Sequence, residues 1–406
     1  LKAPREHATI CLPKVRPRVT RCARKNYSGL NLKSWLKKIQ WLTLPFLALT
    51  LLGSVVGLAL YIPRYGIHPL EPIFCFSFVA IVAWVVSSGY HRYFAHKTFQ
   101  CHPALKIFYL ILGCSAFQQS ALVWASDHRF HHRYVDTEQD PYNIKKGFWW
   151  AHVGWVLTDD PKSRATLLNN VPDLAKDKWV MWQHKYWIWL SLPLSLGLPL
   201  FLGFLIGRPV GMFLWGSLLR VVITHHTTFT INSIAHKFGT QPYSDANSAR
   251  DVWWLAPILW GENYHNYHHC FQGDYRNGIR WYQWDPSKWA LWCLAKIGMV
   301  KGLQRTPAHL ILKARLEMEL KRVEQANPFY ERLLGLRQTL LDAAELYAKA
   351  RKNYLEFKRN ATDRSRESIE AAKENLRLRK AAFEAGWREW KEAVRLSFRT
   401  LATSRS

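Results

Sequence analysis

Residues 41–62 read WLTLPFLALTLLGSVVGLALYI, twenty-two positions without a charged side chain. Wound into a helix at about 1.5 Å per residue, this run covers the roughly 30 Å hydrocarbon core of a bilayer. Two more charge-free runs occupy 72–89 and 186–207, and a fourth, 209–231, is interrupted by Arg220, His225 and His226. The pattern predicts an all-α integral membrane protein with four spans, at about 41–62, 72–90, 186–207 and 209–231. The linkers between spans one and two, and three and four, are short, with the charges Arg64 and Glu71 in one and Arg208 in the other. Ahead of the first run, residues 1–40 carry eleven Lys and Arg against the single acid Glu6. Such a basic flank stays on the cytoplasmic side, so this tail is expected in the cytoplasm. It shows no apolar stretch of about 7 to 15 residues with a small-residue cleavage site, and no cleavable signal is expected.

Over the 406 residues the net charge is +27 and 14% are aromatic, including 21 Trp. A disordered polycation would not carry so many large apolar rings. The basic excess therefore reads as topology and attraction to anionic lipid, with no nucleic-acid partner. The mean hydropathy of -0.18 averages apolar spans with charged ends. Cys11, Cys22, Cys75, Cys101, Cys114, Cys270 and Cys293 are scattered, without a CxxC pair. That argues against a disulfide framework, a zinc ribbon and a built-in iron–sulfur centre.

Histidine is clustered. His91 and His96 stand in HRYFAH, His128, His131 and His132 in HRFHH, and His265, His268 and His269 in HNYHH. On a helix turning about 100° per residue, positions i, i+3 and i+4 fall on one face, so each HxxHH presents three imidazoles together. The HxxxxH spacing leaves its two rings about 140° apart, and the helix is expected to distort or end there. At the end of the fourth run, INSIAH places Asn232 and His236 one turn apart and adds a ninth candidate. A single box is as readily a solvated helix face as a ligand set. Two copies plus HxxxxH, each near the end of a span, point to metal.

Residues 103–123 are apolar enough to span, with Lys106 their only charge, yet they separate the first box from the second. Were they to cross, His91 and His96 would lie about 30 Å from His128. A shared site therefore requires 103–123 to lie in the interface, which Ser115, Gln118, Gln119 and Ser120 allow. It also requires the third and fourth spans to form a hairpin returning to the cytoplasm. Nine imidazoles without thiolate exceed a structural zinc site and suit two metals of intermediate softness, iron or copper by ligand type, with two irons preferred. Haem would take two axial histidines and leave the doublets unexplained. Transport sites sit near the bilayer midplane rather than at span ends.

In GYHRYFAH, WASDHRFHHRYVDTEQDPYNIKKGFWWAHVGW, NSIAH and GENYHNYHHCFQGDYRNG the chain resembles the membrane-bound fatty acyl desaturases, particularly the delta-9 acyl-CoA desaturases and their bacterial relatives, over about residues 40–300. The resemblance implies four spans capped by a cytosolic di-iron centre, with a kinked tunnel holding the acyl chain beside it. It implies two iron ions held by His91, His96, His128, His131, His132, His236, His265, His268 and His269, with Asn232 holding a metal-bound water. The implied reaction is O2-dependent removal of two hydrogens from neighbouring methylenes, leaving a cis double bond at delta-9, for unsaturated fatty acid biosynthesis. Electrons are expected from an external ferredoxin, cytochrome or flavin reductase system, since no cytochrome-like segment or flavin-binding glycine motif is present. No catalytic side chain is expected beyond the metal centre, because an unactivated C–H bond gives acid or base no foothold. The alternatives are a hydroxylase or ketolase on the same histidine scaffold and a haem- or metal-handling membrane protein.

Trp124, Trp149, Trp150 and Trp155 are candidate walls of the dry slot such chemistry needs, although Trp149 and Trp150 equally suit interfacial anchoring. By the resemblance, Asp127 and Asn143 fall near the substrate headgroup, so the expected substrate contacts are Trp124, Asp127, Asn143 and Trp155. Asp159 and Asp160 stand after HVGW where the acyl-CoA enzymes carry basic residues, and Ser126 stands where they carry arginine. Acids repel a coenzyme A phosphate, so CoA-, carrier-protein- and lipid-linked acyl chains all stay in play. His225 is expected in polar packing or beside the site, as are His226 and His152. His7, His68, His102, His184 and His309 read as ordinary surface or interface residues.

Beyond Pro307 the composition shifts to Ala, Glu, Lys, Arg and Leu, predicting helices at 308–326, 329–359 and 364–402. Leu333, Leu336, Leu340, Ala344 and Tyr347 make one apolar stripe, and Ile369, Ala372, Leu376, Phe383, Trp387, Trp390 and Val394 another, which predicts an antiparallel hairpin. Residues 305–406 hold 23 Lys and Arg against 14 Asp and Glu. That charge suits an acidic electron carrier or the membrane, and a stabilising extension without a partner suits it as well. The sequon at Asn360 is expected to be idle in the cytoplasm. The predicted organisation is a basic tail at 1–40, a membrane domain at 41–300 and a helical extension at 301–406.

Overall fold

The computed structural model describes residues 39–158, 167–323, 325, 327–359 and 366–403. The basic tail through residue 38, Asp159, Asp160 and the Asn360 sequon lie outside the described residues. The chain divides into two compact units, one comprising residues to Thr240 with Ala246–Arg305, the other Gln241–Asp245 with Thr306 onward.

The first unit is built from α1 (Thr43–Tyr65), α2 (Leu70–Ala95), α3 (Pro103–Ala116), α4 (Ala121–Tyr134), α5 (Lys178–Leu205), α6 (209–233), α7 (His265–Cys270) and α8 (Pro286–Lys296). Among the described residues it has one sheet, in which β1 (Gln100–Cys101) pairs antiparallel with β2 (Val300–Lys301). Among the described residues, α1, α2 and α5 are long and apolar enough to cross a membrane. Their outer faces carry bare Leu49, Leu52, Phe76 and Phe201, as lipid-facing helices do. The predicted fourth span is helical throughout, but Arg220 and the polar stretch His225–His226–Thr227–Thr228 leave it less apolar than those three. It still brings the chain back, because His236, just beyond α6, meets histidines from α4 and α7.

At the end of the α1–α2 and α5–α6 hairpins away from the histidines, Glu71 is fully buried and accepts hydrogen bonds from Tyr61 Oη (2.8 Å) and the His68 amide (3.0 Å). Arg208 donates to the same Tyr61 hydroxyl and to the Tyr65 carbonyl. A Cβ at residue 211 would lie 1.9 Å from Glu71 Oε1, so only glycine lets the two hairpins close on this carboxylate.

The predicted interfacial helix 103–123 ends at Ala116, where Phe117 and Gln119 take left-handed backbone (φ 52° and 68°) and α4 leaves at 81° to α3. A break in an apolar zone exposes carbonyls that lipid cannot satisfy. Side chains from α5 and α6 take them: Ser191 Oγ donates to Cys114 O (2.7 Å), Ser195 Oγ to Ser115 O (3.1 Å), Arg220 also to Ser115 O, and His225 Nε2 to Ala116 O (2.9 Å). Ser120 then caps α4, and the Ala121 amide donates to Gln183. His225 thus takes the polar-packing role. Arg220→Leu removes the charged one of the two donors to the Ser115 carbonyl and leaves Ser195 alone on it, at a cost of about 1.5–3 kcal/mol for a hydrogen bond from a charged group. The expected result is a lower melting temperature of the purified protein in detergent; an unchanged one would show that the break does not depend on this arginine.

In the second unit, α9 (Ala308–Lys321), α10 (Tyr330–Arg359) and α11 (Arg366–Thr403) pack together. The contacts Arg332–Glu389, Tyr347–Phe383 and Asn327–Ser397 show α10 and the chain before it running antiparallel to α11. Leu333 and Leu340 of one stripe and Trp390 of the other are buried, and the Trp390 indole donates to Glu319 on α9. The third helix seals the hairpin's core with Leu316 and Leu320; it ends at Lys321, before the expected 326.

Candidate metal centre

The last ten residues of α2, Val86–Ala95, are π-helical, and the His96 amide donates to the His91 carbonyl at 3.0 Å. This i→i+5 bonding widens the turn by one residue and brings positions five apart onto one side. The expected distortion at HxxxxH therefore takes a specific form, which sets the two rings 4.8 Å apart.

All nine predicted histidines gather into two groups, within each of which the candidate ligand atoms lie within 4.8 Å of one another. One comprises His91, His96, His128, His132 and His268; the other His131, His236, His265 and His269. Each HxxHH is thus divided between the groups. In the second box, i and i+4 go to the five-membered group and i+3 to the other; in the third, i and i+4 go to the four-membered group and i+3 to the first. In the first group, His91 Nε2 and His132 Nε2 each lie 3.0 Å from His268 Nε2, and His96 Nε2 lies 2.8 Å from His128 Nε2. In the second, His265 Nε2 lies 3.0 Å from His236 Nε2 and 3.1 Å from His269 Nε2.

Partners behind the rings set their tautomers. His131 Nδ1 meets Asp140 Oδ1 at 2.8 Å, His91 Nδ1 faces Glu262 Oε2 at 3.0 Å, and His236 Nδ1 meets Ser248 Oγ at 2.8 Å, which in turn donates to Asp136. A proton held at Nδ1 leaves the Nε2 lone pairs of His131 and His236 facing inward, and the Glu262 charge beside His91 Nδ1 favours the same tautomer there. The Nε2 of His131 is buried without a hydrogen-bond partner among the described residues. Lone pairs crowded in this way, with one orphaned, suit a metal ion in each group and make the donor set all-imidazole. Burial, then His131, pulls the His236 imidazole down to about 3, and burial with neighbouring histidines keeps His265, His268 and His269 well below the usual range. Neutral rings are the ligating form. Burial opposes ionisation of Glu262, but His91 and Arg92 outweigh it and hold the carboxyl at about 2.

Beside the histidines lies a cavity that opens partly to the outside. Val79, Ala83 and Val86 of α2 form one wall, and His91, His128, His131 and His265 reach it from both groups. Trp124 lines it and stacks on His128, ring centres 5.0 Å apart, while its indole donates to Gln118, whose amide donates to Thr228. Asn232 also lines it.

Asp127 is half-buried on α4 beside His128; its charge, after burial itself, helps push the Tyr142 hydroxyl well above the usual phenol range. Asn143 is buried with both ends of its amide engaged in its own loop, by Thr137 O and the Lys145 amide. Trp155 packs on Tyr142 and Phe229, not among the cavity-lining residues. Trp149 is 71% exposed, which suits an anchor rather than a wall. His152 bonds Ser233 and His226, outside both groups. Sequence reading passed over Glu262, Asp140, Asp136 and Ser248. Glu262 lies three residues before His265 and Asp140 nine after His131, so an acid near each box was the available signal.

A sequence model of the fatty acid desaturase family matches residues 67–292. This chain belongs to the fatty acid desaturase family. It is 34% identical over 300 residues to acyl-CoA desaturase 1 of Saccharomyces cerevisiae, covering 73% of this chain and 58% of that protein. It is 36% identical over 298 residues to a probable acyl-CoA desaturase of Schizosaccharomyces pombe, covering 72% and 60%. Identity to the sn-1 stearoyl-lipid 9-desaturase of Anabaena variabilis is 34% over 218 residues, covering 54% and 76%. The matched part spans about three fifths of the length of the two yeast relatives. The desaturase match contains all nine gathered histidines, so it takes in both groups whole.

Proposed function

We propose that this chain is a fatty acyl desaturase that introduces a cis double bond between carbons 9 and 10 of a saturated acyl chain. The observation that carries the proposal is one cavity with an apolar wall that reaches histidines of both groups. Two iron ions held by the five and the four histidines would supply the oxidant, O2 being reduced to two waters by two hydrogens from adjacent methylenes together with two external electrons and two protons. The chain's own residues bind and orient. Val79, Ala83 and Val86 exclude water along the acyl chain. Trp124, tethered through Gln118 to Thr228, fixes one side of the cavity against His128. Asn232 offers its amide to a water beside the four-histidine group. Glu262 and Asp140 hold protons at Nδ1 of His91 and His131.

The delta-9 position draws support from the cyanobacterial relative's name, and the acyl substrate from all three names. An isolated bridge between Ile39 and Thr158 ties the residues entering α1 to the segment after the second box. With the basic tail read as cytoplasmic, this supports a centre on the cytoplasmic face, served by an external electron donor. Residues 41–300 then form the catalytic membrane domain and 301–406 a helical extension. The test is mass spectrometry of total fatty acids, with double-bond positions, from a host expressing the chain with a reductase and ferredoxin. The expected product is a monoene at carbon 9; hydroxylated or keto acids without monoene would overturn the desaturase reading.

A further inference from the structure

Helix α8 wears its apolar side outward. Its inner face is buried against α2: Leu291 joins the core that holds Val82, Val85 and Val86, and Ser287 Oγ donates to Ser87 Oγ at 2.8 Å. On the outer face Trp289 and Trp292 are exposed about one turn apart, Ile297 is bare just past the helix end, and the turn before it adds Trp281, Tyr282 and Trp284. Trp281 is 84% exposed and Ile297 72%. A water-facing helix would carry its charges there. Instead single cations fold back over the rings, Lys296 over Trp292 (5.1 Å) and Arg280 over Tyr282 (5.9 Å).

The depth of this patch follows from its attachment. Ser87 lies about 25 Å along α2 from Leu70 at 1.5 Å per residue, close to the far boundary of a hydrocarbon core about 30 Å thick. The other end of α8 is held at the same level, since Met299 O accepts from the His102 amide and β2 pairs with β1 just where α3 sets out. That is the height where tryptophan and tyrosine concentrate in membrane proteins.

We propose that residues 281–297 are a second membrane contact, an in-plane anchor whose aromatic face lies in the headgroup and upper acyl region of the bilayer. The occupant is lipid: a broad surface of indole and phenol rings with single cations folded over them suits that zone, whereas a face for an acidic protein would present a cluster of cations. The anchor also registers the metal centre. Ser287 holds Ser87, which donates to Glu262, and Glu262 faces His91 Nδ1. Fixing α8 in the interface therefore sets the histidine groups at the bilayer surface, the level at which an acyl chain leaves lipid for water.

The test is photolabelling of the full chain in phosphatidylcholine nanodiscs containing a phosphatidylcholine with a diazirine on its acyl chain, mapped by peptide mass spectrometry. Label is expected on 281–297 and on α1, which serves as the positive control, and Trp289→Glu with Trp292→Glu should abolish label on the former alone. Trp281→Glu, at a ring that packs on nothing in the core, gives the same reading if the double variant misfolds, with reduced label at 281–284. Labelled α1 beside unlabelled 281–297 overturns the proposal. So does cross-linking of this segment to a second copy in place of lipid.

Discussion

Replacing His268 with alanine is expected to lower desaturation to background, a loss of at least about 100-fold, beyond the usual cost of removing an outer partner of a metal ligand. Its Nε2 stands 3.0 Å from those of both His91 and His132, linking the end of α2 to α4, and its ring is buried. No other imidazole among the described residues can reach that position, because the neighbouring His265 and His269 face the four-membered group. The check is product formation beside iron content in the purified variant. Retained activity with full metal would remove His268 from the ligand set.

Glu262→Gln tests the layer behind the ligands. The carboxylate meets His91 Nδ1, Arg92, Ser87 and the Asn277 amide, all in a buried setting. The amide keeps the shape but loses the charge. His91 then loses the group that holds its Nδ1 proton, and Arg92, almost wholly buried, is left with Asp285 as its one carboxylate partner. Metal affinity is expected to fall about 10- to 100-fold, with activity following, while helicity by circular dichroism stays near that of the unaltered chain. Glu262→Asp should recover part of the affinity. An affinity within about twofold of the unaltered chain would mean that other contacts orient His91.

The α-helical reading of HxxHH and the need for 103–123 not to cross were legible because both follow from helix geometry and membrane thickness alone. Four things were not. The π-turn between His91 and His96 depends on α2 packing, since Gly89 lies where a Cβ would strike the Tyr109 ring. The break after Ala116 is made by Phe117 and Gln119 in left-handed backbone, with neither glycine nor proline to announce it. It is stabilised by Ser191, Ser195, Arg220 and His225, all more than 70 residues away. The sharing of each HxxHH between two groups needs two helices facing each other, which one helical wheel does not show. The partners Glu262 and Asp140 act through contacts formed only in the folded unit. The polarity of α6 likewise has its reason in three dimensions, as Arg220 and His225 point at carbonyls and the threonines line the cavity.

The five and the four histidines would hold one metal ion each. The most direct measurement is iron per chain, by elemental analysis, in the unaltered protein, in His96→Ala/His128→Ala and in His236→Ala/His265→Ala, each purified from iron-supplied cells. About two irons are expected in the first and about one in each variant, one for each histidine group. One iron in the unaltered chain, or complete loss of metal in both variants, would contradict it.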